Sequence, residues 1–186
     1  MYLIVRTSEA GPAIWSFVTR PRTWTVLVNS VLLAASVAAA SIAIGVPLAW
    51  LLERTNLPGR RLVRALVSVP LAIPSLVGGY AFVASFGAGG IVAAWLGSAL
   101  GIKVPSVYGF GGAWLVLTLL SYPYVLLPVS ASLRNLDPAQ EEVAKALGHR
   151  PLRVFVQVIL PNLGPAVRSG GFLAALYTLS DFSAVS

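Results

Sequence analysis

Few residues in this chain are equipped for chemistry. Among 186 residues there is one histidine, there are six aspartates and glutamates together, and there is no cysteine. A hydrolase nucleophile needs an adjacent base. The lone His149 sits in a polar stretch outside every apolar run, and Asp181 is the one acid placed inside an apolar run. Neither a histidine-assisted nucleophile nor a pair of intramembrane aspartates is therefore available. The absence of cysteine removes disulfides, thiolate sites and Fe–S ligation. Asp181 stands without a neighbouring His, Cys, Asp or Glu, which makes a poor metal site. An acid in an apolar segment still marks function. Asp181 fits the wall of a substrate path, a partner contact, or a helix break near the external face. A structural or gating role suits it better than metal ligation.

The other distinctive stretch is Asp137 to Pro161, reading DPAQEEVAKALGHRPLRVFVQVILP. Asp137 is a good N-cap, Pro138 takes the first helical position and Gln140 the third. The helix stops at Gly148, the expected left-handed position. Glu141 and Lys145 form an i,i+4 pair in the favourable order, which leaves Glu142 outside that pair. Ala144 and Gly148 share a face with no bulky side chain, so another backbone has room to lie there. A second helix is expected from Pro151, ending before Pro161. Leu152, Phe155, Val156 and Ile159 are its apolar positions, and Arg150, Arg153 and Gln157 its polar ones. Five charges lie between Glu141 and Arg153. At about 2.5–3.5 kcal/mol for each charge at mid-span, this stretch cannot cross a bilayer. It is either a solvated amphipathic loop or a docking surface for a partner.

The elements that must position these residues are apolar helices. Mean hydropathy is +0.83, with 57% hydrophobic and 10% charged residues, which excludes an ordinary soluble domain. No charge occurs over Thr23–Leu52, Ala65–Ile102 or Val104–Leu133. A spanning helix needs roughly 20 apolar residues, and these runs lack the alternation of β-barrel strands. The fold class expected is all-α, a polytopic helical membrane protein with spans at about 26–52, 63–86, 107–133 and 163–186. Residues 1–186 are expected to form a single transmembrane domain with one polar segment, 137–161. The first span is rich in Ala and Ser, which lets helices approach closely. Pro70 and Pro74 interrupt the second, so Pro70–Gly79 either lines a path or makes a packing kink. Ile91–Leu100 is too short to span and is expected to lie at the external interface. Tyr122 and Tyr124 are expected in an interfacial belt.

The net charge of +7 sits in connections and does not signal nucleic acid. Arg54, Arg60, Arg61 and Arg64 crowd one loop, and Arg134, Lys145, Arg150, Arg153 and Arg168 flank or lie in the polar segment. The intervening loop carries only Lys103. The positive-inside rule makes the two basic regions cytoplasmic. Met1–Val5 is then either the tail of an upstream span or part of an interfacial segment 1–22 anchored by Trp15 and Trp24. No signal-peptide pattern is present.

Glu142-Val143-Ala144, then Gly148, then Val158-Ile159-Leu160-Pro161 resemble the EAA motif of permease subunits of binding-protein-dependent ABC importers. Val143 for Ala and Val158 for Ile are mild departures. Leu27–Ser30, Pro47–Arg61, Val69–Ser75 and Leu179–Ser186 further resemble the ferric-iron and thiamine branch of these permeases. The resemblance implies the type I ABC importer permease fold, here incomplete because the chain stops at Ser186 with one EAA motif and no repeat. It implies a bacterial or archaeal cytoplasmic (inner) membrane location. Partners would be the bilayer, an ABC ATPase subunit, a periplasmic or extracellular solute-binding protein, and a second permease half or identical copy.

By the same resemblance Glu142, Ala144, Gly148 and Pro161 contact the ATPase and couple it to the spans. No G-x-x-x-x-G-K-[ST] loop is present, so the chain is not itself an enzyme. It holds no cofactor, and ATP-Mg belongs to the partner. Ser75, Tyr80, Ser121 and Asp181 are the candidate path residues, with ferric iron the expected substrate. Thiamine, polyamine, sulfate and phosphonate are alternatives within the class, and a non-transporting membrane scaffold is a remote one.

Overall fold

The computed structural model describes residues 20–101 and 108–181, apart from the side chains at 100, 138, 140 and 145. Met1–Val5, Trp15, Lys103 and positions 182–186 lie outside the described residues. So does the lysine end of the expected Glu141–Lys145 pair.

Helix α1 runs Pro21–Arg54. Pro21 starts it, where a missing N–H costs nothing, and its Ala-rich body continues through Pro47. Its 34 residues rise about 50 Å at 1.5 Å each, well beyond a hydrocarbon layer of about 30 Å. The overshoot carries its charged C-terminal turn clear of the apolar zone.

After a Pro58-Gly59 turn, with Gly59 at φ 73°, α2 spans Arg60–Ser68. A 3-10 turn, Val69–Ala72, follows. Ile73 and Pro74 are extended at ψ 117° and 135°, and α3 then spans Ser75–Phe86. The single helix expected over 63–86 is thus broken in two. Pro70 and Pro74 donate no N–H. Val69 stays helical before Pro70, but Ile73, before Pro74, is pushed out of the helical region. A tight turn at Gly87–Gly90 leads to α4, Ile91–Leu100. A side chain at Gly90 would collide with the Ser85 carbonyl.

Helix α5, Phe110–Asn135, contains Pro123 and Pro128. The polar segment follows as α6, Pro138–Ala146, and α7, Pro151–Val154. A π-helical turn, Phe155–Ile159, continues into α8, Leu160–Asn162. The last described helix is α9, Gly164–Asp181. Among the described residues, three segments are long and apolar enough to cross a membrane: Pro21–Arg54, Ser75–Ala99 and Phe110–Asn135. Helix α9, with Arg168 and Asp181, is not one of the three by that measure.

Helices α1, α5 and α9 pack against one another, and small residues make this close. A Cβ on Gly170 would stand 2.7 Å from Val125 Cα, and one on Gly45 3.0 Å from Val125 Cβ. In lipid there is little hydrophobic drive between helices, so such backbone approach supplies the dispersion energy. The core joins Val46, Ala49 and Leu52 of α1, Val125, Leu126, Val129 and Leu133 of α5, and Ala174 of α9. Ala144, Val154, Ile159 and Leu163 belong to the same cluster. The polar segment is therefore built onto the end of the bundle rather than hanging from it.

The tyrosines of α5 depart from the expected belt. The Tyr122 hydroxyl donates to the Val67 carbonyl at 2.9 Å. Tyr124 packs on Tyr177, with ring centroids 5.1 Å apart. Both hold neighbouring elements: Tyr122 meets polar backbone left beside the break at Val69–Pro74, and Tyr124 joins α5 to α9.

Gly170→Val puts a branched side chain against the α5 backbone, and overpacking of this kind costs about 1–3 kcal/mol. The melting temperature in detergent should fall clearly. Gly97→Ala, where nothing lies within 4 Å of an added Cβ, should hold or raise it, with alanine favoured in a helix by about 0.8–1 kcal/mol.

Candidate docking segment and cavity

The caps expected for α6 are formed. Asp137 Oδ1 accepts the Ala139 N–H at 2.9 Å. At the other end Gly148 sits at φ 82°, and the His149 N–H reaches back to the Ala144 carbonyl at 3.2 Å. That six-residue closure is a Schellman cap, which needs a left-handed residue and hence favours glycine. The two ends define a short rigid unit.

Its faces divide between bundle and solvent. Glu141 and Ala144 are buried, while Glu142, Val143 and Leu147 are exposed. Ala144 therefore packs inward, in the same cluster as Leu133 and Ile159, and its small size serves contact within the chain. The flat outward face expected from Ala144 and Gly148 is replaced by one carrying Val143 and Leu147.

Glu141 is held from below by the end of α1. Arg54 Nε lies 2.7 Å from Glu141 Oε1, with side-chain exposures of 18% and 6%. Arg54 Nη2 donates to the Leu136 carbonyl at 3.3 Å. The guanidinium thus ties α1 to the end of α5 and to the first turn of α6. Opposite charges this close attract more strongly where water is excluded. Removing one partner of a buried pair strands the other, at about 3–5 kcal/mol. Next to it Glu53, also buried, accepts from Arg60 Nη2 at 2.8 Å and Arg64 Nη2 at 3.0 Å.

The second helix of the segment differs from its expectation in extent and in facing. Val154 and Ile159 are buried, and Phe155 stacks on Trp50 with ring centroids 5.1 Å apart. Leu152 and Val156 are exposed instead. The helix does not stop before Pro161. The Leu160 N–H reaches five residues back to the Phe155 carbonyl, and the chain stays helical to Asn162. Pro161 gives no N–H, and its ring would crowd the carbonyl four residues earlier. The wide π turn just before it relieves that crowding. Pro161 itself is exposed.

A cavity of about 350 Å³ opens between α3, the start of α5 and the end of α9, lined by Ser75, Tyr80, Tyr108, Leu117 and Asp181 among others. Three of the four path residues expected from sequence, Ser75, Tyr80 and Asp181, thus come together. Ser121 does not line it and is buried on α5. The side chain of Tyr177 reaches both Ser75 and Asp181, linking α9 to the first turn of α3. Sequence reasoning missed Glu53, Arg54, Glu141 and Tyr177. The Glu53–Arg60–Arg64 cluster had a local signal, an acid facing two bases across a Pro-Gly turn. The Arg54–Glu141 pair had none.

Residues 41–186 match the family described as "Binding-protein-dependent transport system inner membrane component". Among curated relatives, an Fe(3+)-transport system permease protein of Haemophilus influenzae is 34% identical over 100% of this chain and 33% of its own length. A molybdenum transport system permease protein of Mycobacterium tuberculosis is 35% identical over 93% of this chain and 64% of its own. A sulfate transport system permease protein of Escherichia coli is 32% identical over 92% and 61%. The chain thus spans between a third and just under two-thirds of these relatives. A solved structure of the MetNI methionine ABC transporter in inward-facing conformations superposes with a TM-score of 0.67 at 18% identity, covering 90% of this chain and 75% of that one. The shared fold is thus that of a type I importer permease, and the chain belongs to the family of binding-protein-dependent transport system inner membrane components.

Proposed function

We propose that this chain is part of the permease subunit of an ABC importer, with α6 and α7 docking on a separate ATPase. The observation that carries this reading is the outward face of the segment. Val143, Leu147, Leu152 and Val156 are exposed on a unit too polar to enter lipid, with Glu142 among them. Exposed apolar side chains clustered on a capped, rigid element suit a protein partner. Glu142 supplies a charge at its edge, Gly148 the turn that fixes its angle, and Ala144 the inward packing that passes movement to the bundle. Pro161, at the far end, sets the π turn beneath it.

ATP-Mg is bound by the partner, since this sequence has no phosphate loop. A solute-binding protein outside the membrane delivers substrate, and a second permease half or an identical copy completes the path. The cavity carrying Ser75, Tyr80 and Asp181 is this half's share of that path. The segment faces the cytoplasm, in keeping with the basic residues around it.

Ferric iron is the proposed substrate. It is supported by the likeness of Pro47–Arg61 and Leu179–Ser186 to the iron and thiamine branch, and by a relative named for Fe(3+) transport that aligns over the whole chain. An oxyanion is the second reading, supported by relatives named for molybdenum and sulfate transport at similar identity.

Glu142→Lys and Gly148→Pro should each reduce ATP-driven uptake on the order of tenfold or more, within the range of coupling energies. Membrane insertion and solute-binding-protein contact should persist. Normal uptake by both variants in reconstituted vesicles would refute the docking assignment. The substrate is read by offering labelled ferric iron, molybdate and sulfate to the same vesicles with each candidate binding protein. Iron uptake alone is expected, and uptake of an oxyanion without iron reverses the choice.

A further inference from the structure

We propose that the Arg54–Glu141 ion pair, with Glu53 beside it, is the joint that carries movement of the docking segment to the wall of the cavity. Arg54 and Glu141 are then positioning residues for transport, an inference that rests on the docking reading above.

Two adjacent residues at the end of α1 carry opposite charges and reach in different directions. Arg54 meets Glu141 of α6 at 2.7 Å and the Leu136 carbonyl, just past α5, at 3.3 Å. Glu53 meets Arg60 and Arg64 of α2 at 2.8 and 3.0 Å. Helices α6 and α2 make their charged contacts with the same corner. From α2 the chain enters the 3-10 turn Val69–Ala72 and the extended Ile73–Pro74. Ser75, Leu76, Gly79 and Tyr80, just beyond that break, line the cavity. The Tyr122 hydroxyl on the Val67 carbonyl holds the last turn of α2 against α5. A push on α6 thus reaches α2 through Arg54 and Glu53, and the proline break is where the rotation is taken up.

The neighbouring acids of α6 divide the work. Glu141 is 5% exposed and faces the corner, while Glu142 is exposed and faces outward. A carboxylate at 141 that merely stabilised the fold would need no link to α2. Here the arginine it holds is bonded in sequence to the glutamate that holds α2. Arg54 also uses a geometry that lysine lacks, since its planar fork meets a carboxylate and a carbonyl together.

The experiment uses the assembled permease–ATPase complex in vesicles, with Leu76→Cys as a reporter on the cavity wall. The 186-residue sequence has no cysteine of its own. The rate of labelling by a charged maleimide is measured with and without ATP, alongside ATP hydrolysis and recovery of the ATPase subunit. With Arg54 and Glu141 intact, ATP should change the rate by about fivefold or more. In Glu141→Gln and in Arg54→Lys the change should shrink to about twofold or less, while hydrolysis and assembly persist. A full ATP-dependent change in both variants overturns the joint. So does a loss that follows loss of the assembled complex, which is the mark of a structural role alone. If the parent complex shows no ATP-dependent change although it hydrolyses ATP, the docking reading falls, and the joint falls with it.

Discussion

A charged segment that cannot enter lipid has to be fastened to helices that can, and the fastening point is the last turn of α1. That helix outruns the apolar layer, so Glu53 and Arg54 emerge where polar groups can meet. Arg54 then closes on Glu141 and on the Leu136 carbonyl, while Glu53 gathers Arg60 and Arg64. The two carboxylates, Glu53 and Glu141, are out of solvent, and an isolated buried charge is expensive, so each needs its arginine partners. The position of α6, the course of α2 and the start of the proline-broken helix all follow from this corner.

Above it the bundle is held by close approach rather than by charge. Gly45 and Gly170 bring α1 and α9 onto the α5 backbone around Val125. The same tight contact leaves little slack, so a displacement at one end is carried along the helices as a rigid-body movement. Slack is concentrated at Val69–Pro74, where prolines interrupt the backbone hydrogen bonding. The cavity is placed directly beyond that weak point, with Ser75 and Asp181 both in its wall.

The docking segment combines two properties that pull against each other. It has to be firm enough to transmit force and exposed enough to be gripped. Asp137 and Gly148 cap it, and Ala144, Val154 and Ile159 sink into the core. Val143, Leu147, Leu152 and Val156 stay outside. The π turn ahead of Pro161 keeps the segment helical to Asn162, and a turn at Leu163 joins it to α9, so its far end is tied to the cavity-bearing helix as well.

Local chemistry was legible without coordinates. Asp137 and Gly148 declare the ends of α6 because capping depends on residues within one helical turn. The proline pair announces a break because the defect is covalent. The apolar runs declare membrane helices because the bilayer sets their length, and Asp181 stands out because an acid in such a run is costly. What the tertiary structure alone decided is which way each residue faces. The pattern of α6 does not tell Glu141 from Glu142, or whether the small face of Ala144 awaits a partner or its own bundle. That depends on where Arg54 arrives from a distant helix. Ser121, drawn toward a path by its hydroxyl, turned into the helix packing instead. In an all-apolar bundle period and composition mark no inner side, so facing is set by close backbone approach and by long-range ion pairs, neither of which leaves a local trace.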